Sequence, residues 1–165
     1  MFITSTVPQF LPFFKGQINV LKKLFDITLI SSAGEQLDQM ALAHKVNKHA
    51  IEMEREISIF KDLKSLFYLT AFFYKKKPFV ILANSPKASL LSIIAAYLTN
   101  VPNRIYYVHG LRYQTTKGLK KGLLKLMERI TCLFATKVIV VSHGMKKILL
   151  QDNITKKEIS IIWNG

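Results

Sequence analysis

A histidine and an arginine three residues apart, His109 and Arg112, are the side chains of this sequence best suited to chemistry. His109 directly follows the apolar run Ile105–Val108, and Gly110 after it would let a ligand approach the backbone. An imidazole there can hydrogen-bond a substrate hydroxyl or stabilise charge near a reacting carbon; the structural alternative is a half-buried histidine bonded to a neighbouring carbonyl. Arg112 can clamp a phosphate or carboxylate, or remain a solvated surface arginine.

A second polar segment, Asn84-Ser85-Pro86-Lys87, follows another apolar run and opens a helical pattern. Pro86 suits the first turn of a helix. Lys87 would add positive charge beside exposed helix N–H groups, which favours an anion site, or it would extend into water. Further along, Ser142 is interpreted as the N-cap of a short helix and not as a nucleophile.

Several common catalytic patterns are absent from the sequence. It has no HExxH and no paired CxxC, so we expect no protein-bound metal. It also lacks GxGxxG, GxxxxGK[ST] and GxSxG, which argues against an NAD-dependent enzyme, a P-loop NTPase and an α/β-hydrolase. We therefore expect no cofactor.

Short apolar runs alternate with longer helical patterns along the whole chain. The predicted strands are Met1–Ser5, Asp26–Ser32, Ala50–Met53, Phe79–Ala83, Arg104–Val108, Val138–Val141 and Glu158–Trp163. The predicted helices are Phe13–Leu24, Gly34–Val46, Ser58–Tyr74, Lys87–Leu98, Gly118–Phe134 and Met145–Leu150. This alternation predicts one Rossmann-like, doubly wound α/β domain with a mainly parallel sheet of about seven strands and helices on both faces.

Ligands of such sheets bind outside the carboxyl ends of the strands, near the point where the strand order reverses. The loops that follow predicted strands there are Thr6–Gln9, Asn84–Lys87, His109–Arg112 and Ser142–Gly144. The sequence therefore predicts a site at this edge of the sheet.

Charge is distributed unevenly over the chain. The net charge is +14, and residues 63–165 carry all of it, because basic and acidic side chains balance in residues 1–62. A basic half suggests an anionic partner such as nucleic acid, lipid headgroups or a pyrophosphate-linked substrate. The single cysteine, Cys132, excludes an internal disulfide and favours a reducing compartment. The best apolar stretch, Ala88–Leu98, is about half of the ~20 residues that a membrane span needs, so we interpret it as a buried helix.

One predicted helix is cationic along one side. Five basic residues form a slowly winding stripe on it, with Glu128 as the one acid of the helix: Lys117, Lys120, Lys121, Lys125 and Arg129. Its apolar residues are expected to dock on the sheet: Leu119, Leu123, Leu126, Met127, Ile130 and Phe134. The stripe is either a solvated outer face or an anion-binding surface. An anionic membrane is the preferred partner, since the nearby tyrosines are better placed as core than as base-stacking groups.

The motifs together resemble a known family. The segments STVPQFLPFFKGQINVLK, SSAGEQLD, EREIS, NSPKASL, VHGLRYQTTKG and IIWNG follow one another as in the N-terminal domain of glycosyltransferase family 4. The resemblance is strongest to bacterial enzymes of capsule, O-antigen or exopolysaccharide synthesis, and it covers essentially residues 1–165. It implies one half of a GT-B fold, in which an N-terminal domain holds the acceptor and a C-terminal domain holds the nucleotide sugar.

The resemblance also implies roles for individual residues. His109 would lie at the floor of the cleft near the transferred sugar, as the catalytic residue. The residues expected to border the acceptor are Gly110, Arg112, Arg55, Ser85, Lys87, Thr115 and Thr116. Family members retain the anomeric configuration and use no metal. Many relatives have a histidine where Asn84 stands here, which removes acid–base chemistry but not hydrogen bonding at this position.

The resemblance implies a polyprenyl-diphosphate-linked saccharide as acceptor and a cytoplasmic, peripheral location at the inner face of the plasma membrane. Asn164-Gly165 corresponds to the crossing toward the donor domain, so we expect the donor domain to be missing from this chain, or supplied as a separate subunit, and the isolated chain to be inactive. The alternative function is a basic, non-enzymatic module that binds membrane or nucleic acid; we expect no nucleic acid partner.

Overall fold

The computed structural model describes residues 1–4, 15–54 and 56–163. Its strands are β1 (Phe2–Thr4), β2 (Thr28–Ser31), β3 (Asn47–Ala50), β4 (Val80–Ala83), β5 (Asn103–Val108), β6 (Lys137–Val140) and β7 (Ile159–Ile161). Its helices are α1 (Lys15–Leu21), α2 (Glu35–His44), α3 (Ile59–Lys76), α4 (Pro86–Leu98), α5 (Gly118–Phe134) and α6 (His143–Gln151), with a 3-10 helix at Arg112–Thr115.

The strands form one sheet in the order β3-β2-β1-β4-β5-β6-β7, and every pairing is parallel. Parallel strands connected by helices make right-handed crossovers, so the chain winds along one face to β3 and along the opposite face from β3 to β7. The predicted Rossmann-like, doubly wound fold is confirmed. The order reverses between β1 and β4, which makes that pair the switch point.

Each face of the sheet has its own core. On the side of α1 and α2, Ile3 and Leu29 pack with Ile18 and Leu37. The opposite core joins the inner faces of α3, α4, α5 and α6, where the buried side chains include Leu69, Phe73, Leu91, Leu124 and Leu149. Helix α4 lies between α3 and α5 and is buried over most of its length, as predicted for Ala88–Leu98. No helix in the described ranges is both long and apolar enough to cross a membrane.

Most predicted elements coincide with observed ones within a few residues, and Gly118–Phe134 coincides at both ends. The third strand is the exception, because the prediction was Ala50–Met53 and the strand is Asn47–Ala50. It lies at the edge of the sheet and most of its side chains are exposed, so it lacks the apolar signature that buried parallel strands carry. Ile51 and Met53 are buried, but after the strand has ended.

The apolar face predicted for α5 is partly wrong, and α3 also buries a polar residue. In α3, Leu63 and Phe67 are exposed, and the helix buries Ser65, Leu69 and Phe73. In α5 the buried residues are Leu124, Glu128, Thr131 and Cys132, whereas Leu119, Leu123 and Leu126 are exposed. On the buried face of each helix lies a polar residue with an internal hydrogen-bond partner. The buried face is therefore not the one that hydrophobicity alone selects.

Candidate functional site at the carboxyl edge of the sheet

The carboxyl ends of β1, β4 and β5 meet at the switch point of the sheet. In doubly wound sheets the crevice that binds ligands lies outside the carboxyl ends of the strands at the switch point, which here are the ends of β1 and β4. The Asn84 N–H donates to the Thr4 carbonyl at 3.2 Å and continues the β1–β4 pairing by one residue. The buried Asn84 and the more accessible His109 stand directly after β4 and β5.

His109 is half-buried at this edge. Its ring lies against the Tyr107 ring, with 4.3 Å between the ring centroids. Tyr107 in turn donates its hydroxyl to the Ile162 carbonyl at 3.2 Å, which ties the end of β5 to the segment after β7. Burial lowers the pKa of His109 below its usual value of 6.5. The imidazole is therefore neutral at pH 7 and can both donate and accept a hydrogen bond.

Arg112 belongs to a polar cluster on the side of α3, α4 and α5. Its guanidinium donates to the Glu56 carboxylate at 2.6 Å, and the Lys120 ammonium lies 3.5 Å from the other oxygen of that carboxylate. The hydrogen bond from Arg112 and its charge lower the pKa of Glu56. The structure thus brings Arg112 and Lys120 together around an acid that the sequence analysis did not single out.

Lys87 has internal partners at the first turn of α4. Its side chain is only 5% exposed, and its ammonium lies 2.5 Å from the Asp62 carboxylate and donates to the Glu56 carbonyl. These contacts fasten α4 to the start of α3. The two orientations considered from sequence, toward an anion or toward water, are replaced by a structural ion pair, and a role of Lys87 at the acceptor stays a prediction.

The remaining predicted acceptor residues lie close to the same edge. The Thr115 and Thr116 hydroxyls donate to the Arg112 carbonyl at 3.2 and 2.9 Å, so they close the 3-10 helix that carries Arg112. Ser85 is buried immediately before α4. Beside Gly110, a methyl group would meet no atom within 4 Å, so space for a ligand exists next to this backbone.

Arg55, the loop Thr6–Gln9 and Asn164-Gly165 lie outside the described residues. The Ser142 prediction is confirmed, since its hydroxyl accepts a hydrogen bond from the Met145 N–H at 3.2 Å as the N-cap of α6. In the ranges that the structure describes, no group of three or more histidine, cysteine, aspartate or glutamate side chains could hold a metal ion.

The cationic stripe of α5 is divided by internal contacts. Lys125 pairs with Asp152 at 2.8 Å, and Arg129 donates to the carbonyls of Asp152 and Asn153. The compensating charge that the helix lacks is thus supplied by the end of α6. Lys117 and Lys121 remain exposed near the first turns of α5.

Beneath that stripe lies a buried carboxyl group. The Tyr106 hydroxyl donates to Glu128 at 2.5 Å, and Glu128 is 4% exposed. Burial raises the pKa of Glu128 to about 7, although the hydrogen bond from Tyr106 acts in the opposite direction. Burial and then the Glu128 charge raise the pKa of Tyr106. The hydrogen bond between Tyr106 and Glu128 links β5 to α5.

The sequence comparison decides the family. Residues 18–165 match the model of Glycosyltransferase Family 4. The chain belongs to glycosyltransferase family 4. The resemblance to this family that the motifs predicted is confirmed. The chain is 40% identical over its whole length to the capsular polysaccharide biosynthesis glycosyltransferase CapM of Staphylococcus aureus.

A second family relative is the UDP-Gal:α-D-GlcNAc-diphosphoundecaprenol α-1,3-galactosyltransferase of Escherichia coli, 33% identical over 67% of this chain. The chain spans 43% of the length of CapM, and its match to the E. coli enzyme spans 29% of that enzyme's length. Among solved structures, a UDP-N-acetylglucosamine 2-epimerase aligns with a TM-score of 0.72 at 19% identity, over 97% of this chain and 46% of the other. That likeness shows the fold.

Proposed function

We propose that this chain is the acceptor-binding domain of a retaining glycosyltransferase that transfers a sugar from a nucleotide sugar to a lipid-linked saccharide in surface polysaccharide synthesis. The observation that carries the proposal is the position of Asn84 after β4, at the switch point of a family 4 domain, and of His109 after the neighbouring strand β5. The two sequence relatives support the substrate class, because one acts in capsule synthesis and the other on a diphosphoundecaprenol-linked sugar.

His109 fits the part of the site nearest the transferred sugar. Because burial lowers its pKa, it offers a neutral imidazole that hydrogen-bonds a sugar hydroxyl without placing a full positive charge in the cleft. The nucleotide sugar would be bound by a second domain, as in the GT-B resemblance, and that domain would exclude water when the cleft closes. We therefore expect no transfer by this chain alone.

A reconstitution assay tests this proposal. The chain is mixed with a polypeptide carrying a family 4 nucleotide-sugar domain, and transfer to a diphosphate-linked N-acetylglucosamine lipid is followed by mass spectrometry. We expect transfer only from the mixture, with the anomeric configuration of the donor retained in the product by NMR. Transfer by the isolated chain, or an inverted product, would contradict the proposal.

An exposed surface next to the site supports attachment to an anionic membrane. Leu119 in the first turn of α5 is 97% exposed, and Phe60 in the first turn of α3 is 88% exposed. The Glu56 carboxylate, just before α3, contacts both Arg112 and Lys120, so these two helix starts are neighbours. Apolar side chains surrounded by lysines are suited to the headgroup region of a bilayer. The surface would bring a lipid-linked acceptor to the crevice.

Vesicle sedimentation tests this surface. Each lysine near an anionic bilayer contributes about 1 kcal/mol, so K117E/K121E should weaken binding to phosphatidylglycerol vesicles by about thirtyfold or more at low salt. The matched control is K147E/K156E, which changes the same charge at two exposed lysines of and after α6. If both double variants weakened vesicle binding equally, binding would depend on net charge and not on this surface.

A further inference from the structure

Asn84 carries a buried carboxamide whose hydrogen-bonding capacity is unused among the residues that the structure describes. The residue is 4% exposed, and neither its Oδ1 nor its Nδ2 has a hydrogen-bond partner in the described part of the chain. Burying an amide without partners is unfavourable, and native proteins keep few such groups. A buried amide without partners at the end of a strand therefore points to a ligand that binds it.

Asn84 lies beside other buried polar groups at the carboxyl edge of the sheet. Its N–H is fixed to the Thr4 carbonyl, so the backbone is held in register at the switch point. The hydroxyls of Thr4 and Ser31, at the ends of β1 and β2, are also buried and without hydrogen-bond partners in the described ranges. In the described ranges, three neighbouring strands therefore end in polar groups without hydrogen-bond partners.

The chemistry of a carboxamide restricts what can satisfy it. A phosphate or carboxylate only accepts hydrogen bonds and would leave Oδ1 unsatisfied, whereas an ammonium only donates and would leave Nδ2 unsatisfied. Two adjacent groups of which one accepts and one donates satisfy both atoms. Neighbouring substituents of a sugar ring, two hydroxyls or a hydroxyl and an acetamido group, have this pattern.

We propose that Asn84 is a specificity-determining residue that binds two neighbouring substituents of the acceptor's sugar ring, and does not bind its diphosphate. The inference rests on the proposed function and names the part of the substrate that this edge recognises. Both amide atoms are buried, so a sugar reaches them only when the groups that cover them move.

The first test measures stability without ligand. N84L replaces the amide by an apolar group of similar branching and removes the unsatisfied atoms, so we expect the Tm of the full chain to rise by about 3–8 °C. The matched control is S65A, because the equally buried Ser65 hydroxyl donates to the carbonyls of Glu52 and Lys61 and its loss should lower Tm. A lower Tm for N84L, or an ordered water that bonds both amide atoms in a crystal structure, would overturn the proposal.

The second test measures binding of decyl diphosphate with and without a linked sugar, by calorimetry. The sugars are N-acetylglucosamine and glucose, which distinguish an acetamido partner from a second hydroxyl. We expect the wild-type chain to prefer a sugar-bearing probe, and N84L and N84A to lose about tenfold or more of that preference while binding decyl diphosphate as before. N84A adds no bulk, so it covers the case in which N84L fails to fold.

These outcomes distinguish the role of Asn84 from the proposed function. If the wild-type chain prefers the sugar-bearing probe and N84A keeps that preference, the role of Asn84 is refuted while the proposed function stands. If the wild-type chain shows no preference for either sugar over decyl diphosphate, both are refuted.

Discussion

Replacing Glu128 by glutamine should make the domain more stable at alkaline pH and leave it unchanged in acid. Glu128 is buried beneath α5 and its pKa is raised from 4.5 to about 7. Because the folded pKa lies above the unfolded one, stability is complete below about pH 4.5 and is lost as the pH rises toward 7. Glutamine keeps an acceptor for the Tyr106 hydroxyl and carries no charge.

The magnitude follows from the distance between the two pKa values. One pH unit corresponds to about 1.4 kcal/mol, so ionisation of Glu128 costs about 3 kcal/mol of unfolding free energy once the pH exceeds 7. In a domain of this size about 1 kcal/mol changes Tm by about 2–4 °C. E128Q should therefore melt about 6–12 °C above the wild type at pH 8 and at the same temperature at pH 4.5.

The assay is thermal unfolding followed by circular dichroism from pH 4.5 to 8 for both proteins. His109 adds an opposite slope, since its lowered pKa makes stability fall as the pH drops below about 6.5. That contribution is common to the two proteins, so the difference between their curves isolates Glu128. If the difference in Tm between the two proteins did not change with pH, the raised pKa of the buried Glu128 carboxyl would be refuted.

Three further predictions concern residues around the same framework. K87M should destabilise the chain by about 2 kcal/mol in urea unfolding, because it leaves Asp62 without its buried cation; an unchanged midpoint would make that ion pair irrelevant. Cys132 is buried and its pKa is raised to about 12 by burial, so a disulfide reagent at pH 8 should label it only as fast as the domain opens; immediate labelling would contradict this. S142A should cost about 1 kcal/mol by removing the α6 N-cap, and a loss no larger than that of the exposed S160A would argue against the cap.

The order of strands and helices could be predicted from sequence because buried parallel strands are short, apolar and bounded by polar residues. β4 and β5 show this clearly, whereas the edge strand β3 has exposed polar side chains and was misplaced by three residues. Edge position depends on the pairing of distant segments, which local composition does not encode.

The interior of the helix layer could not be predicted from hydrophobicity. The sequence identified Glu128 only as the one acid of a cationic helix, and it is the buried partner of Tyr106. The exposed leucines of α5 were assigned to the core for the same reason, since the counting of apolar residues ignores a carboxyl that finds a hydroxyl across the layer. The signal was weak but present, because Glu128 lies four residues after Leu124 and therefore on the same side of the helix.

The positions of the predicted site residues in the fold followed from the sequence, but their contacts followed only in part. Asn84 and His109 lie at the carboxyl ends of β4 and β5, as predicted, and their role in a site stays a prediction. Arg112 and Lys87, however, converge on Glu56, an acid of the EREIS segment that had no predicted role. Such cross-element partners depend on which helices share a face, and this is settled by the crossover order rather than by spacing in sequence.

The most direct test of the proposed site is photocrosslinking with a diphosphate-linked N-acetylglucosamine that carries a photoreactive group on the sugar. Mass spectrometry of the labelled chain should locate the label on the segments 84–87 and 109–112 at the carboxyl edge, and free probe without the photoreactive group should suppress it. Labelling at the opposite edge of the sheet, for example near Lys45 or Asn100, would contradict the assignment of this crevice as the acceptor site.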